Sequence, residues 1–439
     1  MSFDSMGAWR RTHYSTEVES QLDGQEVILF GWVQEIRDLG GIRFLILQDR
    51  TGTIQITIPQ KRVSPEVLSK SDSLQKRYSI GVKGIVKATD MTPRGVEVIP
   101  DNIKIFTGAS LQLPLDVTGK TPAHIDVRLD ARPLDLCYED NIAVFKIQHT
   151  AEVAIRDFLF QRGFLEVHTP RIISSATEGG AALFPVDYFG KKAYLAQSPQ
   201  LYKEELTMSL EKVFEVGHFF RAEESDTRRH LSEFMSVDIE QAFATYKDVM
   251  HLLELLIQHI CMTVKETCQQ ELKTLNHDLQ VPDVPFKRLK YDEVLQELNS
   301  KGITISWGED IPTSAFRTLG EMYPYCYFIT HWPTDSKSFY IQPEIDNPEI
   351  CESFDLMWSW IELASGGTRI ASKEQLVQRL KKKGLNPDSF KYHLKAFDYG
   401  MPPHAGWGVG LERLIMMLTG KQNIREVTLY PRDQFRLTP

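Results

Sequence analysis

The run Phe219-Phe220-Arg221-Ala222-Glu223-Glu224-Ser225-Asp226-Thr227-Arg228-Arg229-His230-Leu231-Ser232-Glu233-Phe234 concentrates four cations between aromatic residues. Two apolar residues lead into Arg221, and Met235-Ser236-Val237-Asp238-Ile239-Glu240 then alternates as a half-buried strand does. The stretch therefore reads as strand, polar loop, strand. A guanidinium fork at the strand end suits phosphate, because its planar donors match two oxygens at once. An aromatic such as Phe234 offers a stacking face to a base. A hairpin with a solvated charged loop fits the same residues equally well.

Two later stretches bear on that choice. In Phe354-Asp355-Leu356-Met357-Trp358-Ser359-Trp360-Ile361-Glu362-Leu363-Ala364-Ser365-Gly366-Gly367-Thr368-Arg369, two acids stand seven positions apart, the wrong parity for one face of a regular strand. A bend, or two strands meeting across a site, would bring Asp355 and Glu362 together, and carboxylates with retained waters suit magnesium held against phosphates. Two unrelated surface acids are the plain alternative. The second stretch, Gly406-Trp407-Gly408-Val409-Gly410-Leu411-Glu412-Arg413-Leu414, is a glycine-rich strand turning into an apolar helix. Glycine lets a ligand approach the backbone, and Arg413 opens the helix within reach of a phosphate. It lacks the Gly-Lys-Ser/Thr of a Walker loop, so the glycine pattern alone is weak.

The elements that must hold these residues follow from periodicity. Val27–Ile36, Ile42–Gln48, Thr53–Ile58, Tyr78–Lys87 and Val96–Phe106 are short apolar-rich segments broken at Gly40-Gly41, Thr51-Gly52, Pro59 and Pro93-Arg94-Gly95. They predict a small closed five-stranded β-barrel over residues 1–107, of the OB-fold kind that binds single-stranded nucleic acid. Trp32 and Phe44 are candidate stacking residues there, although most aromatics in small barrels are core. Pro114, Pro122 and Pro133 mark residues 108–140 as a linker between domains. Ile147, Ala151, Ala154, Ile155, Phe158 and Leu159 recur at helical spacing up to Gly163, and Phe164–Pro170 alternates as a strand. Thr177-Glu178-Gly179-Gly180 is a hinge-like loop, and Gln197 to Lys203 a polar turn entering a helix. A further helix is expected from Tyr246 to about Leu272, and Ser372-Lys373-Glu374-Gln375 looks like a capping box.

Composition sets outer limits. The 439 residues exceed one usual core, and the formal charge of −9 excludes a globally basic nucleic-acid binder. Residues 1–120 are nearly balanced, with 15 basic against 14 acidic side chains, so the negative excess belongs to the remainder. No apolar run reaches membrane-spanning length, and residues 1–14 have no hydrophobic signal-peptide core, so no membrane partner is expected. Five scattered cysteines with no close pair predict reduced thiols in a cytoplasmic protein and no zinc site.

In this order and spacing, the dense stretches resemble the three signature motifs of class II aminoacyl-tRNA synthetases. Pro170 with its preceding helix resembles the first, Phe220-Arg221-Ala222-Glu223 through Phe234 the second, and Gly408-Val409-Gly410-Leu411-Glu412-Arg413 the third. The barrel narrows the resemblance to the aspartyl, asparaginyl and lysyl subgroup. Gln197–Lys203, Thr177–Gly180, Tyr430-Pro431-Arg432-Asp433 and the terminal Arg436-Leu437-Thr438-Pro439 are similar to the archaeal and eukaryotic type of aspartyl-tRNA synthetase.

The resemblance implies an α+β fold: the OB-fold barrel as anticodon-binding domain (1–107), a hinge (108–140), and a catalytic domain (141–439) with an antiparallel sheet flanked by helices. It implies a homodimer built through the first motif. It implies ATP as substrate with Mg2+ as cofactor, L-aspartate and tRNA(Asp) as partners, and an aspartyl-adenylate intermediate. By that correspondence Arg221 clamps the α-phosphate, Glu223 contacts the adenine amino group and Phe234 stacks on the ring. His230 and Arg413 hold the γ-phosphate, with Leu231 and Gly410 also at the nucleotide. Asp355, Glu362 and Ser365 match magnesium positions. Lys203 and Arg369 match the pair that receives the substrate's side-chain carboxylate, with Glu178, Gln200, Asp238 and Ser365 near the rest of the amino acid. Arg221, Glu223 and Arg413 carry the catalysis. In the barrel, Phe44, Gln55 and Glu97 fall at anticodon-reading positions.

Departures are specific. Ile370-Ala371-Ser372 follows Arg369 where the family often carries histidine, and Thr368 precedes it where a Gln-Arg pair is usual. Gln34 stands where enzymes restricted to aspartate tRNA tend to carry tryptophan, and Pro93 where they tend to carry lysine. Proline at that position resembles the non-discriminating type, which also charges tRNA(Asn) and implies an amidotransferase partner that converts the product. A strictly discriminating aspartyl enzyme, an asparaginyl-tRNA synthetase, an asparagine synthetase and a non-catalytic tRNA-binding paralogue are the alternatives.

Overall fold

The computed structural model describes residues 3–109, 112–174, 183–222 and 227–439. Two compact units emerge, Met1–Glu139 and Asp140–Pro439.

In the first unit, β1 (Glu26–Asp38), β2 (Ile42–Gln48), β3 (Thr53–Pro59), β4 (Ser79–Ala88) and β5 (Val96–Thr107) close into a barrel in the order β1-β2-β3-β5-β4. Alternation does the sorting: Leu45, Leu47, Ile54, Ile56 and Ile58 point into the core, while Phe44, Ile46 and Gln55 stay half-buried outside it. Residues 108–139, expected as a linker, instead belong to this unit and contain two short helices, Ile125–Asp130 and Arg132–Asp135. Pro133 sits in the first turn of the second helix, where a missing N–H costs nothing.

The second unit is built on an eight-stranded sheet. Its strands are β6 (Leu165–Glu166), β10 (Lys212–Phe220), β11 (Glu233–Ala242), β12 (Lys287–Lys290), β13 (Cys326–Thr330), β14 (Ser353–Trp358), β15 (Ile361–Thr368) and β16 (His404–Gly410), ordered β12-β13-β14-β15-β16-β11-β10-β6. Three small strands, β7 (Ile172–Ile173), β8 (Pro185–Tyr188) and β9 (Lys191–Leu195), form a separate sheet. The large sheet is antiparallel except at both edges, where β6 pairs parallel with β10 and β12 with β13. The strand expected over Phe164–Pro170 shortens to Leu165–Glu166, since Thr169 is drawn away by Glu215, which accepts its N–H at 2.9 Å.

One face of this sheet is apolar and the other polar. Val237 and Ile239 of β11 and Trp407 and Val409 of β16 join the core under the helices Glu139–Gln161, Tyr246–Thr267 and Leu411–Thr419. The indole of Trp407 donates to the Val249 carbonyl at 3.0 Å, which satisfies its one buried donor. Ser236 and Asp238, the alternate residues of β11, face the opposite side. Among the described residues all five cysteines are free, and burial pushes the Cys261 thiol up to about 12. No described helix is long and apolar enough to cross a membrane.

Candidate active site

The polar face of β11, β15 and β16 floors a cavity of about 520 Å³. At one end, β10 and β11 present the arginine-rich hairpin. Register pairs Phe219 with Phe234, which puts Arg221 just beyond the strand end and its guanidinium carbon 5.1 Å from the Phe234 ring centroid. The backbone N–H of Arg221 donates to the Ser232 carbonyl at 2.9 Å, closing the hairpin on itself. His230 and Leu231 line the same end, and His230 Nδ1 lies 2.6 Å from the Thr227 hydroxyl. Glu223 lies outside the described residues.

The third stretch arrives from the opposite side of the floor. β16 ends at Gly410, the N-cap of the helix Leu411–Thr419, and Arg413 stands in its first turn. Its Nη1 donates to the Glu362 carbonyl at 2.9 Å, which fixes it beside β15. Glu412 is buried and accepts the Met235 N–H at 2.9 Å; burial pushes its carboxyl up to about 7. Arg221, His230, Leu231, Phe234, Glu362, Gly410 and Arg413 therefore meet in one cavity.

The parity problem of Asp355 and Glu362 resolves by topology. They sit on paired strands with Asp355 opposite Ser365, and a bulge between Leu356 and Met357 shifts the register before Glu362. Asp355 lies behind the cavity lining, where Lys337 Nζ approaches its Oδ2 at 2.6 Å. Burial raises its carboxyl above the ordinary value; Lys337 opposes the shift and Glu362 adds to it. Its Oδ1 is buried without a well-formed hydrogen bond. Among the described residues no three His, Cys, Asp or Glu side chains gather as a metal cage. Two carboxylates that repel each other, one with an unsatisfied oxygen, fit a divalent ion sharing its remaining positions with water and phosphate.

At the other end lies a buried charge network. Lys203, on the helix Gln200–Leu210, reaches Asp238 Oδ1 at 2.9 Å, the Trp407 carbonyl at 3.2 Å and Glu240 Oε2 at 3.5 Å. Arg369 donates from Nε to Glu240 Oε1 at 2.9 Å and from Nη2 to Oε2 at 3.3 Å. Burial pulls the Arg369 guanidinium down, but the Glu240 charge outweighs it and holds the group above its ordinary value. Gln200 Nε2 donates to Glu204 at 2.6 Å and so braces that helix. Ser365 lines the cavity; Glu178 lies outside the described residues.

Glu240 changes the picture drawn from sequence. The two cations do not stand bare but share this carboxylate, which is fully buried. Its signal was available, since Ser236, Asp238 and Glu240 are alternate residues of one strand and must face the same way. Gly406 makes room for it: a methyl group there would sit 2.2 Å from Glu240 Oε2. Lys337 and Tyr340 also line the cavity and carried no sequence signal of their own, whereas Arg229, which lines it too, is one of the four cations of the hairpin run.

Behind Gln200, His393 Nδ1 lies 3.0 Å from Glu205 and its Nε2 lies 3.3 Å from Glu204, with His404 Nε2 3.6 Å from the same Glu204 oxygen. Burial alone would lower the His393 imidazole, but its contacts with Glu204 and Glu205 outweigh it and raise the group to about 9. A group raised on folding stabilises fully below its unfolded value of 6.5 and loses that contribution as pH rises through about 9. The shift corresponds to about 3 kcal/mol. Unfolding free energy is expected to fall between pH 7 and 10 in the native chain and to fall less in His393→Gln. Identical pH profiles in urea titrations of the two would contradict it.

In the barrel, Thr57 Oγ1 donates to Glu97 at 2.6 Å and Gln55 Nε2 to the same oxygen at 3.3 Å. Phe44 is the cross-strand partner of Thr57, so Phe44, Gln55 and Glu97 share one outer face. Gln34 Nε2 donates to the Val117 carbonyl at 3.4 Å, and Pro93 is exposed in the turn between β4 and β5.

Comparison with known proteins matches residues 124–434 to a family described as tRNA synthetases class II (D, K and N), and residues 27–106 to the OB-fold nucleic acid binding domain. A protein of Methanopyrus kandleri named aspartate–tRNA(Asp/Asn) ligase is 51% identical over 428 residues, spanning 97% of this chain and 99% of its own. A ligase of the same name from Sulfurisphaera tokodaii is 50% identical over 430 residues, 98% of this chain and 100% of its own. Among solved structures, the asparaginyl-tRNA synthetase of Pyrococcus horikoshii complexed with asparaginyl-adenylate superposes with a TM-score of 0.93 at 33% identity, covering 98% of this chain and 100% of that one. The aspartyl-tRNA synthetase of Entamoeba histolytica gives 0.87 at 31%, covering 99% and 93%.

Proposed function

The chain belongs to the class II tRNA synthetases of the D, K and N group, and from that membership we propose that it attaches L-aspartate to tRNA(Asp) and tRNA(Asn) at the expense of ATP. The observation that carries this is the joining, in one cavity, of a nucleotide end at Arg221, Phe234 and Arg413 to a buried carboxylate-binding end at Lys203 and Arg369.

The reaction needs no protein nucleophile. A carboxylate oxygen of aspartate attacks the α-phosphorus, a P–O bond forms, and the bond to the bridging oxygen breaks with its electron pair leaving on pyrophosphate. A ribose hydroxyl of the tRNA 3′ end then takes the aspartyl group from the adenylate and releases AMP. Charge gathers on phosphate oxygens, so Arg221 at the α-phosphate and Arg413 with His230 at the far phosphate act by fixed positive charge. Phe234 offers its ring to adenine beneath the Arg221 guanidinium, with Leu231 and Gly410 beside it; Glu223 has the adenine amino group as its partner. Asp355, Glu362 and Ser365 would hold magnesium, which when bound supplies neutralising charge between phosphates.

Lys203 and Arg369 receive the aspartate side chain while Glu240 holds them in place, and Gln200, Asp238 and Glu178 take its amino end. An asparagine side chain would turn its amide N–H groups toward cationic donors that offer no acceptor, leaving buried donors unpaired. Gln34 and Pro93 support the wider tRNA range, since neither is the tryptophan or the lysine that enzymes restricted to aspartate tRNA tend to carry. Aspartyl-tRNA(Asn) so made is a substrate for an amidotransferase. The exposed Val153 and Phe160 of the helix Glu139–Gln161, with Leu165 on edge strand β6, support a homodimer through the first motif. The free, scattered cysteines support a cytoplasmic setting.

Charging assays on the two purified tRNAs test the reading. Both are expected to accept aspartate; loading of tRNA(Asp) alone removes the wider specificity, and exchange driven by asparagine rather than aspartate removes the amino-acid assignment.

A further inference from the structure

Three arginines, none of them ion-paired among the described residues, run outward from the nucleotide end of the cavity. Arg413 and Arg229 line the cavity, whereas Arg317, on the helix Thr313–Met322, is exposed outside it. Trp360 joins the outer two: the guanidinium carbon of Arg229 lies 4.6 Å from its ring centroid and that of Arg317 4.4 Å. Arg229 is also tied to the Arg317 helix, donating from Nη2 to the Thr313 hydroxyl at 3.0 Å. Among the described residues no ion pair joins Arg229, Arg317 or Arg413 to an acid.

Holding like charges this way costs stability. Burial lowers the Arg229 guanidinium, Arg413 and then Arg317 lower it further, and Glu362 only partly opposes them. The arrangement makes sense if an anion completes it, with the indole keeping both guanidinium planes oriented meanwhile. The run begins at Arg413, beside the phosphate end of the cavity, and ends in solvent.

We propose that Arg317, Trp360 and Arg229 form an outer phosphate station that receives pyrophosphate as it leaves the cavity and delivers it in the reverse reaction. The inference rests on the adenylate-forming reading above. Pyrophosphate, the group departing with the electron pair of the broken P–O bond, carries several negative charges and suits consecutive guanidinium groups better than a single one. Arg317 is a binding residue here, outside the reacting centre, and Trp360 a positioning residue that orients both guanidinium groups.

Aspartate-dependent pyrophosphate exchange without tRNA separates the possibilities. In Arg317→Ala the KM for pyrophosphate is expected to rise about three- to tenfold, the effect of one partly exposed charge-assisted contact. The KM for aspartate should not move, and Arg317→Lys should recover part of the loss. Trp360→Phe should give a smaller shift in the same constant. An unchanged pyrophosphate KM in Arg317→Ala overturns the station, and so does a rise confined to the KM for tRNA, which would assign the cations to the acceptor strand. Failure of the native enzyme to exchange at all would instead refute the underlying reaction.

Discussion

Arg369→Ala is expected to cost the catalytic unit about 3–5 kcal/mol of stability and to abolish aspartate activation. The side chain is 3% exposed, and its two hydrogen bonds leave Glu240 with a single good partner. Without it, the fully buried Glu240 carboxylate keeps only Lys203 at 3.5 Å, a distance without a proper hydrogen bond. An uncompensated buried charge is among the costliest defects a mutation makes, more so than the net worth of the original pair. Arg369→Lys should recover part of the stability but little of the aspartate affinity, because an ammonium cannot span both Glu240 oxygens and present a further donor. Urea unfolding with aspartate-dependent pyrophosphate exchange reads both quantities. A variant with native stability and native aspartate KM would show that Glu240 and Arg369 are not coupled and that the carboxylate site lies elsewhere.

The interdependence of Arg369 and Glu240 also marks where sequence reasoning stopped. The barrel strands were legible because each carries alternation bounded by turn residues, and the hairpin from Phe219 to Phe234 because apolar strands flank a polar loop. Asp355 and Glu362 looked mismatched only while one regular strand was assumed; pairing of β14 with β15 and one bulge bring them to the same neighbourhood. Glu240 was missed for a different reason. An acid in an alternating strand reads as its solvent face, and only the second layer, with Arg369 arriving from β15's end and Gly406 from β16, reveals that face as interior. Arg229, Arg317 and Trp360 lie in separate segments, so their meeting is a property of tertiary structure. The proline-marked segment 108–139 shows that Pro133 can start a helix as readily as it stops one.

Arg221→Ala should lower the rate of aspartyl-adenylate formation by about a thousandfold or more while leaving tRNA binding largely intact. The guanidinium does two jobs that the variant separates from the rest of the site. It offers paired donors where negative charge grows on the α-phosphate, an interaction stronger in the transition state than in the ground state, so its loss falls on kcat. It also lies over Phe234 at 5.1 Å and holds that ring in place for adenine. Phe234→Leu removes the second job alone and should raise the KM for ATP with a smaller change in kcat. Arg221→Lys keeps a charge but not the fork, and should fall between native and alanine. The anticodon face belongs to the other compact unit, so the affinity for tRNA is expected to change less than twofold. Exchange kinetics and filter binding on the three variants provide the comparison. An Arg221→Ala enzyme that forms adenylate at the native rate would remove the phosphate clamp from the hairpin, and with it the reason for four cations between Phe219 and Phe234.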